Sequence, residues 1–280
     1  MMKVLITGAN SYIGLAAEKR LKEAGHRVDT LDMTGDWKSY DFSGYDSVFH
    51  VAGIAHDTGN DKDAKLYYSV NRDLALETAA AAQAAGVGQF VFMSSMLVYN
   101  GSKERNITAE TVPEVRGAYG DSKLQADLAL QKMNGETFRV AVLRPPMVFG
   151  KGCKGNFPRL AGLVMKTPVF PDIDNRRSML HIDNLSEFVR LTIENRADGV
   201  FFPQNAEYFR TTDLAVEIAA AKGKKLRTTK LFNWAVYCAK PLMSQLRKLF
   251  GDLTYDKSLS EHFDGAYRIV DNAESVRRSV

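Results

Sequence analysis

Tyr119 and Lys123 stand four residues apart in Tyr119-Gly120-Asp121-Ser122-Lys123. On a helix that spacing places both side chains on one face. An ammonium held near a phenol favours the phenolate, so the tyrosine pKa is expected to fall from about 10 toward working pH. Upstream, the apolar run Phe90-Val91-Phe92-Met93 delivers Ser94 and Ser95 into a loop. A serine hydroxyl there can share a proton with the same substrate oxygen. The combination suits proton transfer on an alcohol or ketone.

Such a device needs elements to hold it. Val4-Leu5-Ile6 reads as a short strand, followed by the turn Thr7-Gly8-Ala9-Asn10-Ser11-Tyr12-Ile13-Gly14 and a helix through Leu15, Ala16 and Leu21 to Ala24, stopped by Gly25. Strand, glycine-bearing turn and helix make a dinucleotide-binding opening, in which backbone N–H groups and the helix N-terminus meet a pyrophosphate. Its candidate residues are Gly8, Asn10, Ser11, Tyr12, Ile13 and Gly14, with Ser11 at the middle position where glycine is expected. The next strand, Arg27 to Leu31, ends at Asp32. An acidic side chain there binds both hydroxyls of an adenosine ribose and repels a 2′-phosphate, which favours NAD(H) and leaves NADP(H) possible.

The stretch from Asp32 to the next strand, Ser47-Val48-Phe49-His50-Val51, is too short for a generous crossover helix. Within it, Asp41 beside Phe42 is placed either to meet an adenine amino group or to serve as a polar loop residue. The strand end His50-Val51-Ala52-Gly53 would lie beneath the cofactor. An alanine-rich helix is predicted from Asp63 to Ala85, and Asn71 lies inside it although asparagine gains nothing there; its amide is read as facing the cofactor or an active-site water. Strands and helices continue to alternate through Thr137–Leu143 and Arg144-Pro145. The fold class is α/β: a Rossmann-type doubly wound parallel sheet with a smaller, mixed substrate-binding lobe. The expected division is residues 1–150 for the dinucleotide, with 179–197 packing back on it, and 151–178 plus 198–280 for the lobe.

Taken in order, Thr7-Gly8…Gly14, His50-Val51-Ala52-Gly53, Ser95, Tyr119…Lys123 and Arg144-Pro145 resemble the extended short-chain dehydrogenase/reductase family, in its nucleotide-sugar epimerase/dehydratase branch. The resemblance implies a bound nicotinamide dinucleotide touched by Gly8 to Gly14, Asp32, Asp41, Phe42, Val51, Ala52, Gly53, Asn71, Tyr119, Lys123 and Pro145. It implies Tyr119 as acid/base, Lys123 holding the ribose and tuning Tyr119, and Ser95, three residues before Val98-Tyr99, binding the reacting hydroxyl. Dehydratases of the family carry Asp-Glu after this serine or threonine, whereas this chain has Met96-Leu97, which cannot move a proton. Hydride transfer alone remains: reduction of a UDP-linked 4-keto-6-deoxy-(N-acetyl)hexosamine, or 4-epimerisation with retained NAD. A non-catalytic redox sensor is a third reading, against which Ser95, Tyr119 and Lys123 are all present. A homodimer through the helices at 63–85 and 118–133 follows from family habit, unless their apolar faces simply cover the sheet.

Gly155-Asn156-Phe157-Pro158-Arg159-Leu160 and Asn175 to Leu185 resemble substrate-lobe motifs of UDP-sugar 4-epimerases and 4-ketoreductases, which makes Asn156, Arg159 and Arg177 candidates for the diphosphate. Arginine suits phosphate through bidentate, charge-assisted bonds. Arg268, in Tyr267-Arg268-Ile269-Val270, is a further candidate, and Asp183-Asn184 is read as the cap of a helix from Leu185 to Glu194. The basic run Lys222, Lys224, Lys225, Arg227 and Lys230 is read as a solvated face, with contact to substrate phosphate as the other possibility. Leu231 to Phe250 mixes Trp234, Tyr237, Leu242, Met243, Leu246 and Leu249 with Lys240, Arg247 and Lys248. It reads as lobe core, interrupted by Pro241, with a membrane surface as the other possibility.

The composition is that of an ordinary globular protein, with 45% hydrophobic residues and a net charge of +4 too mild to argue for nucleic acid. Cys153 and Cys238 form neither a metal motif nor a disulfide framework. No metal is expected. A reduced, cytoplasmic location is expected, with no room for a signal peptide before Lys3-Val4-Leu5-Ile6 and no apolar run of the roughly 20 residues that span a bilayer.

Overall fold

The computed structural model describes residues 1–54, 64–231, 233–239 and 243–280. In chain order its elements are β1 (Lys3–Thr7), α1 (Tyr12–Glu23), β2 (Arg27–Leu31), β3 (Ser47–His50), α2 (Ala64–Tyr67), α3 (Leu74–Ala84), β4 (Gln89–Met93), β5 (Asn106–Ile107), α4 (Ala118–Gln131), β6 (Arg139–Leu143), β7 (Met147–Phe149) and α5 (Asn156–Lys166). There follow β8 (Val169–Pro171), β9 (Met179–His181), α6 (Ile182–Glu194), β10 (Gly199–Phe201), α7 (Thr211–Ala221), β11 (Arg227–Thr229), α8 (Asn233–Ala239), α9 (Ser244–Phe250), β12 (Thr254–Tyr255) and α10 (Asn272–Ser279).

Six strands form one parallel sheet in the order β10-β6-β4-β3-β1-β2. Its inner strands are mostly apolar because both faces are covered, as a parallel sheet requires, whereas the edge strand β2 exposes Arg27, Asp29 and Thr30. Leu21 of α1 with Leu185, Phe188, Val189 and Ile193 of α6 closes one face. Ala75, Ala79 and Ala82 of α3 with Ala126 and Leu130 of α4 close the other. From β1 the chain moves outward to β2 and then returns to β3 on the opposite side of β1. This reversal opens a crevice at the carboxyl ends of β1 and β3, where α/β sheets bind ligands. The short β2–β3 connection holds only the 3₁₀ turn Trp37–Ser39, and Trp37, Phe42 and Tyr45 fill the space of a crossover helix.

A second core joins α5, α7 and β8 through Phe157, Leu160, Val164, Phe170, Leu214 and Ile218. β7 pairs with β9, and β8 with β11. The bridge to the sheet is a small cluster of Met96, Val98, Tyr99, Ile107 and Tyr255.

Two local expectations change. Asp63 lies outside the described residues, and the helix expected to reach Ala85 is broken: a π-helical turn over Tyr68–Asp73 separates α2 from α3. π-bulges shift the register of the residues within them and recur at functional sites; here Asn71 is fully buried. The cap of α6 is His181, whose Nδ1 accepts from the Asp183 N–H at 3.2 Å, so the helix begins at Ile182 and includes Asp183 and Asn184.

Candidate active site

The glycine turn is shaped by close approach. Gly8 has φ +97°, and a Cβ there would lie 2.8 Å from the Ala52 nitrogen. Only glycine avoids both the strain and the clash. Asn10 is also left-handed, at φ +64°, a conformation asparagine tolerates better than most residues. Ser11 has an ordinary extended backbone and acts as the cap of α1, its Oγ accepting from the Gly14 N–H at 3.1 Å. A Cβ on Gly14 would sit 2.5 Å from that Oγ. The serine at the middle position thus keeps the turn tight while occupying one of the N–H groups of the first helical turn. Tyr12 and Ile13 begin α1, with the Tyr12 hydroxyl beside Gly150.

Asp32 follows β2 directly, exposed and next to the turn, where Gly8 and Ala9 donate to the Leu31 carbonyl. Bonds from the Thr34 N–H and hydroxyl hold its carboxyl below the usual range, so it is ionised. Asp41 is held in the same way by Ser43. The Phe42 side chain is buried in the core with Trp37 and Tyr45, which corrects its expected place in a cofactor cleft: apolar burial claims the ring and leaves only its backbone. Ala52 is buried beneath the turn, Val51 is half-buried and Gly53 is exposed. A cradle that a Cβ at Gly8 would fill, with an ionised carboxylate at the next strand end, fits a dinucleotide with free ribose hydroxyls.

The catalytic candidates converge at the end of β4. Ser94 and Ser95 part ways: the Ser94 hydroxyl turns inward and donates to Asp127 at 2.7 Å, whereas Ser95 caps the 3₁₀ turn Met96–Tyr99, accepting from the Leu97 N–H at 3.1 Å. Below this turn the Pro145 carbonyl accepts from the Met96 N–H at 2.8 Å, so buried Pro145 supports the loop. α4 approaches so closely that a Cβ on Gly120 would lie 2.9 Å from the Leu97 carbonyl oxygen. That contact brings Tyr119 within hydrogen-bond reach of the Ser95 hydroxyl.

The Tyr119 phenol is held above its ordinary pKa, chiefly by burial; the Ser95 hydrogen bond opposes this, and Tyr67, packed edge-on at 5.9 Å, adds to it. This reverses the expectation that Lys123 lowers it. The Lys123 ammonium donates to the Met93 carbonyl at 2.8 Å and lies 4.7 Å above the Phe92 ring, so its charge is directed into the sheet end. Burial lowers Lys123 to about 8, against the pull of Asp127 one turn along α4. Beneath it His50 is pushed down to about 3 by burial and by the Lys123 charge, and is therefore neutral. A Cβ on Gly53 would lie 3.2 Å from Lys123 Nζ, which puts the ammonium on the floor of the crevice.

Asn71 clamps that floor. Its Oδ1 accepts from the Ile54 N–H at 2.9 Å, and its Nδ2 donates to the Ile54 carbonyl at 3.1 Å and to the Ser122 hydroxyl at 3.2 Å. The amide therefore joins the end of β3 to α4. Sequence reasoning missed Asp127, which is fully buried and holds Arg144 in two bonds of 2.9 and 2.8 Å. Arg144 in turn donates to the Tyr99 hydroxyl at 2.6 Å. The signal was present in the spacing, since Asp127 lies four residues beyond Lys123 on the same helix.

The substrate-side candidates separate. Arg177 and Asn156 line one cavity with Met147, Phe157, Met179 and Phe209. Arg177 donates to the Gly251 carbonyl at 3.0 Å, and burial lowers its pKa against the charge of Asp252. Arg159 is exposed on α5 and is not part of that lining. Arg268 spends its donors on the Ser260 carbonyl at 2.9 Å, the Glu261 carboxylate at 3.0 Å and the Gln204 carbonyl at 3.3 Å. It braces the C-terminal segment. Among the described residues no group of His, Cys, Asp and Glu is arranged to hold a metal ion.

Comparison with known proteins agrees with this geometry. The model of the NAD dependent epimerase/dehydratase family matches residues 4–201. Among curated relatives, the UDP-glucose 4-epimerase of Vibrio cholerae is 28% identical over 235 residues, covering 79% of this chain and 67% of that protein. The N-acetyl-α-D-glucosaminyl-diphospho-ditrans,octacis-undecaprenol 4-epimerase of Escherichia coli O157:H7 is 25% identical, covering 81% and 75%. A dTDP-4-dehydrorhamnose reductase from Clostridium acetobutylicum shares the fold, with a TM-score of 0.73 at 20% identity over 99% of this chain and 98% of that one. With the family match spanning most of its length and the glycine turn, Asp32 and the Ser95–Tyr119–Lys123 corner built as described, the chain belongs to the NAD dependent epimerase/dehydratase family of enzymes.

Proposed function

We propose that the protein reduces the 4-keto group of a UDP-linked 4-keto-6-deoxy-(N-acetyl)hexosamine. The observation that carries this reading is the Tyr119 phenol set beside Ser95 at the crevice floor and held above its ordinary pKa by burial. A phenol that keeps its proton at neutral pH is poised to deliver it, which is the need of ketone reduction. Met96 is buried and Leu97 is apolar, so neither position after Ser95 offers an acid or base to expel water from the sugar.

The cofactor, held by the Gly8–Gly14 turn, Asp32 and the Val51–Gly53 strand end, supplies the hydride to C4 when bound. Tyr119 Oη gives its proton to O4 while the Ser95 hydroxyl donates to the same oxygen, so the developing charge meets two fixed donors. The phenolate left on Tyr119 is reprotonated from solvent. Arg177 and Asn156 take the diphosphate, with exposed Arg159 of α5 as a further candidate. Outward apolar residues of the two dimer-candidate helical regions, Leu66 at 50% and Leu128 at 47% exposure, are available for the homodimer contact.

The names of the curated relatives favour a second reading, 4-epimerisation with retained NAD, on a UDP-sugar or a polyprenyl-diphospho sugar. Both readings are tested together. Consumption of NADH or NADPH on adding UDP-4-keto-6-deoxy-HexNAc supports the reductase. Purified protein that carries NAD by mass spectrometry and interconverts UDP-glucose and UDP-galactose without added cofactor overturns it in favour of the epimerase.

A further inference from the structure

The charge of this chain is unevenly placed. From Lys222 to Phe250 there are eight Lys and Arg residues and no Asp or Glu. Removing those eight from the 37 basic residues leaves 29 against 33 acidic, so the remainder of the chain is net −4. The same segment exposes large apolar side chains: Leu231 and Trp234 at 70% each and Met243 at 50%. The expectation of lobe core holds only for its inner face, where Val236, Leu246, Leu249 and Phe250 pack. The residues Lys240, Pro241 and Leu242 lie outside the described residues.

The structure gathers these features on one side of the lobe. β11 pairs with β8 in the register Arg227↔Val169, and Asn233 at the start of α8 donates to the Asp172 carbonyl just beyond β8 at 2.7 Å. Lys224 closes the C-terminal end of α5, donating to the carbonyls of Val164, Met165 and Thr167 at 2.7, 2.9 and 2.8 Å. Leu163, Met165 and Val169, each 36–44% exposed, therefore join Leu231 and Trp234, with Lys166, Lys222, Lys225 and Arg227 exposed around them.

We propose that this face, made by the end of α5, the β8–β11 pair and α8, docks on an anionic phospholipid surface. A basic rim around exposed Leu and Trp side chains is the chemistry of a segment that lies in the membrane interface, with apolar groups inserted among the headgroups and cations above the phosphates. Among the described residues no helix is long and apolar enough to cross the bilayer. A second copy is the poorer occupant, because a two-fold interface would set this all-basic segment against itself. The net negative remainder orients the molecule with this face toward the lipid. The proposal stands independently of which sugar the crevice accepts.

The test uses the full-length protein with vesicles of phosphatidylcholine, with and without roughly 30 mol% phosphatidylglycerol, at low and high salt. The protein pellets with the anionic vesicles only, and about 0.5 M NaCl releases it. Tryptophan emission shifts to the blue on binding, and the shift reports Trp234 because the other tryptophan, Trp37, is already buried. Combined Lys222→Ser, Lys225→Ser and Arg227→Ser weakens binding by about 100-fold, at roughly five-fold per charge near an anionic surface. Leu231→Ser with Trp234→Ser abolishes the shift and the pelleting, while circular dichroism and turnover of a soluble substrate are retained. Absence of pelleting with anionic vesicles, or binding indifferent to both sets of changes, overturns the proposal. So does a dimer in light scattering that Trp234→Ser converts to monomer.

Discussion

Lys123 and Arg177 are both cations drawn out of water, and their surroundings differ. Lys123 sits at the end of a six-stranded sheet, its ammonium fixed by the Met93 carbonyl, with Asp127 one turn away to support its charge. Arg177 lines a lobe cavity, bonded to the Gly251 carbonyl, with the charge of Asp252 acting in its favour against burial. The first cation is satisfied by the fold itself. The second carries a desolvation penalty that an incoming anion relieves, since a buried charge is stabilised by a hydrogen-bonded partner of opposite sign. The difference teaches how two buried cations are held: the sheet end satisfies its charge from within the fold, and the lobe leaves Arg177 desolvated at a cavity wall.

The comparison breaks most visibly at the sheet end. Tyr119→Phe removes the transferable proton without changing the packed ring, and kcat is expected to fall about 10²–10⁴-fold with an unaltered melting temperature. Retention of full turnover would show that proton transfer bypasses this phenol. The lobe is broken by Arg177→Ala, for which KM for the nucleotide sugar is expected to rise roughly 10–100-fold with kcat little changed, as for the loss of a charge-assisted bond. A fall in kcat at constant KM would place Arg177 in the chemistry and erase the contrast. The smallest effect is in pH. Burial has lowered Lys123 to about 8, so the ammonium is present below that value and lost above it. The turnover rate is therefore expected to decline as pH rises through about 8, and Lys123→Arg, which stays charged, is expected to flatten that limb. A profile unchanged by the substitution would mean that Lys123 does not titrate in the reaction.

Much of this was legible in the chain. The alternation of apolar runs with helical segments indicated the parallel sheet, because strands buried on both faces must be continuously apolar. The glycine turn, Asp32 and the Tyr119–Lys123 spacing were readable for a similar reason: close backbone approach and helical periodicity act over a few residues, within the reach of local sequence. Ser94 and Ser95 were adjacent and chemically equal, and their roles diverged only when Asp127 claimed one hydroxyl and α4 brought Tyr119 to the other.

What the residues alone determined is the fold class, the glycine turn and the helical spacing of Tyr119 and Lys123, all consequences of short-range geometry. What only the tertiary structure decided is protonation and accessibility. The Tyr119 phenol is raised, not lowered, because burial outweighs the effect of Ser95, while the Lys123 ammonium is committed to Met93. Phe42 belongs to the core, Arg268 to the bracing of its own segment, and Trp234 to the surface. Desolvation and the choice of hydrogen-bond partner depend on which distant segments pack together, and no local spacing encodes that.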